Sequence, residues 1–148
     1  MAKNPKFDLQ RFHFEHRLWG KEIDFVNEEV TIFAHLLDEM KVILPTDLAT
    51  SFAETLQRIT REMEHFKRVN NTLKSEIHAQ ENVMAIALKN ETVQYNDDIW
   101  ATQVYLREKM DFYHDNYRKF KTEFRLFIGK DLENHFSLKE VSSLQETA

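Results

Sequence analysis

The chain has 148 residues, a formal net charge of −5, 42% hydrophobic and 30% charged residues, the balance of a soluble globular protein rather than a disordered one. It contains no cysteine, which excludes disulfides, thiolate metal sites and thiol chemistry and fits a reducing, cytoplasmic setting. The acidic balance disfavours non-specific binding to nucleic acid or anionic membrane, and the apolar runs are too short to span a bilayer.

The N-terminus, Met1 to Lys6, is basic but lacks the apolar stretch of a secretory signal. Only Gly20, Gly129, Pro5 and Pro45 punctuate the chain. A β-rich fold needs a turn every eight to twelve residues or so, and turns recruit glycine and proline. So few breakers imply few, long elements in one domain.

The first predicted helix spans about residues 9–43, with Asp8 as N-cap and Pro45 ending it, because proline disfavours helical geometry in the residue before it. Along it Trp19, Ile23, Val26, Val30, Phe33, Leu37, Met40 and Leu44 follow at alternating steps of four and three. That 3.5-residue repeat keeps one seam facing a partner helix, and no strand produces it. His16 extends the seam backward between Phe12 and Trp19, as a core or edge histidine, and His13 lies one turn earlier.

The second predicted helix spans 47–90, capped by Thr46 and Asp47, with a seam of Leu56, Ile59, Met63, Phe66, Asn70, Leu73, Ile77, Gln80, Met84 and Ala87. Asn70-Asn71 could break it and give a four-helix up-and-down bundle. The heptad phase passes through Asn70 unbroken, which favours one continuous helix with Asn70 and Gln80 as polar seam residues that fix register.

The third predicted helix spans 97–128, with Thr92 as an alternative start, and carries the seam Leu106, Met110, Tyr113, Tyr117, Phe120, Phe124 and Phe127, while Gly129 suits a C-terminal cap. Residues 130–148 form a polar tail with a short helical turn near Leu138–Leu144. The fold class is therefore all-α, an antiparallel bundle of three long helices with coiled-coil-like heptad packing.

Beside the main seam the first helix carries Leu18, Phe25, Ile32 and Leu36, and the third carries Tyr105, Phe112 and Leu126 at equivalent places. These residues either broaden the core-facing arc or form an exposed patch for a dimer or another protein.

Candidate chemistry is sparse. Di-iron bundles use Glu-x-x-His pairs on inward faces, and Glu62 with His65 and Asp111 with His114 have that spacing. Met63, Phe66, Met110 and Tyr113 hold the seam, however, which turns those candidate ligands outward. The histidine spacings of hemerythrin-type bundles are absent apart from His35 and Glu39.

There is no Gly-x-Ser-x-Gly elbow and too little glycine for a phosphate-cradling loop, so neither an enzyme nor a small-molecule substrate is inferred. Arg118, Lys119, Lys121 and Arg125 form a basic cluster that could contact nucleic acid. Their aromatic neighbours Phe120 and Phe124 belong to the seam and are unavailable for stacking on bases. The expected function is a non-enzymatic, self-associating helical scaffold without a cofactor. A metal-binding bundle and, more weakly, a nucleic-acid binder are the alternatives.

Overall fold

In a computed structural model the described residues are 5–44, 50–90 and 97–131. They form three helices, α1 (Pro5–Ile43), α2 (Thr50–Lys89) and α3 (Asp97–Leu126), packed against one another, and no strand occurs among the described residues. A π-helical turn, Phe127–Asp131, closes α3. His13 on α1 meets Glu81 near the end of α2, and His16 meets Gln103 near the start of α3. Thus α1 and α3 run parallel and α2 runs against both.

The three heptad seams form the core. Ile23, Val30 and Leu37 of α1, Ile59 and Met63 of α2, and Leu106, Met110 and Phe124 of α3 are buried, each worth roughly 1.5–3 kcal/mol relative to exposure. Phe33, Met40, Leu44 and Ala87 lie half-buried at its margins. Aromatic rings fill the end away from the α1 N-terminus: Phe33 stacks on Phe124 at 4.5 Å and Phe52 on Phe127 at 5.2 Å. A separate, smaller cluster of Leu9, Phe12, Met84 and Ile99 fills the opposite end.

The second helix is continuous through Asn70-Asn71, so the break that would give four helices does not occur. Two helix ends differ from expectation. The first helix begins at Pro5 and not after Asp8, since proline carries no N–H to leave unpaired and its fixed φ suits the first helical position. Asp8 instead lies in the first turn, 3.5 Å from Arg11, where its charge complements the helix dipole.

At the other end Gly129 is not a left-handed cap, because no glycine has positive φ. The last turn widens while Phe127 stays buried and Ile128 packs on the core. The Thr46–Asp47 cap, the alternative start at Thr92 and the turn near Leu138–Leu144 lie outside the described residues. Among the described residues no helix is long and apolar enough to cross a membrane.

Candidate interaction face

Polar seam residues lock the three helices before any surface is presented. In one layer each helix contributes one buried polar side chain: His16, Gln80 and Gln103. His16 Nδ1 lies 2.6 Å from Glu81 Oε1 and Nε2 lies 2.7 Å from Gln103 Oε1. Gln80 Nε2 donates to the Ile99 carbonyl at 2.9 Å. Gln103 Nε2 points to Glu15 Oε1 at 3.3 Å, so its oxygen is the atom left for His16. Both ring nitrogens of His16 are therefore engaged, Nδ1 by Glu81 of α2 and Nε2 by Gln103 of α3, so one side chain ties all three helices together.

Glu15 also receives the Arg107 fork at 2.6 and 2.7 Å. Burial alone would raise its carboxyl, but Arg107 and Gln103 together hold it below the usual carboxylate range. A second layer sits mid-bundle, where buried Asn70 accepts the Tyr113 hydroxyl and donates to Asn27 Oδ1 at 3.4 Å. Burial first, and then the Glu22 charge, push the Tyr113 phenol upward.

The groove between α1 and α3 is likewise bridged by polar side chains. Between α1 and α3, Tyr117 donates to Glu29, and Lys121 Nζ lies 2.9 Å from the same carboxylate. Burial acts to raise Glu29, yet Tyr117 and Lys121 hold it below its ordinary range, while burial followed by the Glu29 contact pushes Tyr117 up. Beside them, His114 bonds Glu22.

The candidate metal ligands are not brought together. Glu62 lies between Arg58 and Glu123, with its Oε2 buried and unbonded. His65 opens on the α2–α3 groove, His114 on the α1–α3 groove, and Asp111 is exposed. Among the described residues no group of three or more histidine, aspartate or glutamate side chains is arranged to hold a metal. In the basic cluster Lys121 is bound to Glu29 and Arg118 lies 3.8 Å from Asp115. Phe120 and Phe124 are buried, which leaves Lys119 and Arg125 as exposed cations without an exposed aromatic partner in the cluster.

The seven flanking apolar residues are all exposed, so they do not broaden the core. The fold also separates them into two surfaces. Phe25 of α1 borders the α1–α3 groove beside His114, Tyr117 and Lys121. Phe112 of α3 borders the opposite, α2–α3 groove beside His65, Val69 and Lys109, and Tyr105 stacks under Lys109 at 4.9 Å.

On α1 the exposed set is longer than the four flanking residues alone. Phe7 and Phe14 lie before Leu18, and Ile43 follows Leu36, all at least 40% exposed. The signal that finds them is an 18-residue spacing, Phe7 to Phe25 to Ile43, Phe14 to Ile32 and Leu18 to Leu36, which is about five full helical turns. A search for the 3.5-residue seam passes over it. No family model matches this chain, and neither a characterised protein nor a solved structure matches it.

Proposed function

We propose that this chain is a non-enzymatic helical-bundle protein that works through protein–protein contact and associates with itself. The observation that supports the reading is the exposed stripe of Phe14, Leu18, Phe25, Ile32 and Leu36 on α1, extended by Phe7 and Ile43. At about 200 Å² for a large apolar side chain, the exposed parts of these residues sum to roughly 800 Å² per copy, the share one partner contributes to a standard interface. The same reading places the protein in the cytoplasm, in keeping with its lack of cysteine.

Absolute mass by light scattering over a broad concentration range tests it. A dimer is expected, and Phe25→Glu should raise its dissociation constant by about 100-fold, the effect of losing a central contact in both copies. Helical content should not change, because Phe25 is more than half exposed and is not one of the buried core residues. A monomer at every concentration overturns self-association, and an unchanged mass in the folded variant overturns the α1 face as the contact.

A further inference from the structure

The arrangement of the α1 stripe carries more than its exposure. Its residues are symmetric about Phe25: Leu18 and Ile32 lie seven residues to either side, Phe14 and Leu36 eleven, and Phe7 and Ile43 eighteen. At 3.6 residues per turn, all of them fall within roughly 20° of one line along the helix. A second copy laid antiparallel, with its own Phe25 opposite this one, thus sets Leu18 against Ile32, Phe14 against Leu36 and Phe7 against Ile43. A parallel copy can match the same residues, so charge has to choose between the two.

On the exposed positions of α1, Lys6, Arg11, Arg17 and Lys21 precede Phe25, while the acids Glu28, Asp38 and Glu39 and one base, Lys41, follow it. The acids that precede Phe25, Asp8, Glu15, Glu22 and Asp24, are half-buried and already bonded, to Arg11, Arg107, His114 and Lys74 in turn. An antiparallel copy brings the basic half of each helix onto the acidic half of the other, with Arg11 opposite Glu39. Lys21 comes opposite Glu29, whose carboxylate already takes Tyr117 and Lys121. A parallel copy would face Arg11 with Arg11 and Glu39 with Glu39, and like charges in register repel. Full coverage buries about 1,600 Å² in the pair, the size of a standard stable interface.

We infer that two copies of this chain pair antiparallel through α1 on a two-fold axis at Phe25. The inference rests on the self-association proposed above, and its test separates the two. Because the chain has no cysteine, a single introduced cysteine takes one spin label per copy. Gln10 and Thr31 are exposed and flank the stripe, so Gln10→Cys and Thr31→Cys serve as label sites without removing a contact in it.

On a two-fold axis at Phe25, the intermolecular distance grows by about 3 Å for each residue away from it, which gives about 45 Å at position 10 and about 20 Å at position 31. Pulsed electron resonance on the dimer should return that pair of values. Equal distances at the two positions mean a parallel pair, and long distances at both mean another surface; either overturns the inference while self-association stands. A labelled protein that remains monomeric by light scattering overturns both.

A charge exchange provides an independent check. Glu39→Arg should weaken the dimer several-fold, and adding Arg11→Glu should restore it, since the exchange keeps opposite charges facing only in the antiparallel pair. Failure of the double variant to recover, with both variants folded, counts against the arrangement.

Discussion

Replacing Asn70 and Tyr113 separately and together measures what the mid-bundle polar contact is worth. Asn70 is 2% exposed in the α2 seam, where it accepts the Tyr113 hydroxyl and reaches Asn27 with its amide nitrogen. Tyr113→Phe leaves the Asn70 oxygen buried without its donor, at a cost of about 1–3 kcal/mol. Asn70→Leu adds a buried apolar side chain worth roughly 1.5–3 kcal/mol. It also strands the hydroxyl of Tyr113, a residue that is itself 3% exposed, so the gain is largely cancelled.

The double variant keeps the gain and strands nothing, because Asn27 is exposed and returns to water. It should therefore exceed the wild type by about 1–2 kcal/mol, with a rise in Tm of about 3–8 °C. The coupling between the two substitutions, the double variant's gain plus the cost of Tyr113→Phe, should be about 2–5 kcal/mol. Urea unfolding followed by helical circular dichroism on all four proteins provides the cycle. A coupling below about 0.5 kcal/mol, the scatter of independent sites, would refute the argument that this hydrogen bond carries the layer.

Two further outcomes follow from the polar network and the helix interior. Glu15 is held below its ordinary range, so its ionised form stabilises the fold above the unfolded carboxylate range, and that contribution is lost as pH falls through the lowered folded value. Thermal melts between pH 3 and 7 should show Glu15→Gln less stable than wild type near neutrality and a shallower loss toward acid; parallel curves would contradict it. Gly20 sits inside α1 where an added Cβ meets nothing within 4 Å, so Gly20→Ala should gain about 0.5–1 kcal/mol in the same unfolding assay, and a loss of stability would show that the site is closer-packed than it stands here.

The three seams were legible because their signal is periodic and depends on no partner's identity. Ile23, Val30, Met63, Leu73, Met110 and Phe124 sit at alternating three and four steps, and all are buried. Continuity through Asn70 was legible for the same reason, since a turn would have reset the phase. The ends were less legible, because they depend on local backbone detail. Proline starting α1 and a widened turn around Gly129 are both compatible with the capping residues that suggested other endings.

The polar contacts lay further out of reach. His16 finds Gln103 across 87 residues of chain, and no local spacing announces that. The metal candidates illustrate the converse: Glu-x-x-His spacing was visible, yet the helix phase sends His65 and His114 into different grooves. Whether Phe25 and Phe112 face core or solvent depends on how many helices share the bundle, which periodicity along a single helix does not report.

The layer of His16, Gln80 and Gln103 also divides the interior into two. On one side lies the main core; on the other, Leu9, Phe12, Met84 and Ile99 pack as a small cluster of their own. Opening that end exposes only the small cluster and hands the three polar side chains to water, which can replace their hydrogen bonds. The bundle should therefore loosen in stages. Amide protons in the first turns of α1 and α3 and the last turns of α2 would exchange through a partial opening, while those beside Ile59 and Phe124 wait for the whole molecule to unfold. The ordered length of the rod is then a variable quantity, set at one end by a hinge of three hydrogen-bonded side chains.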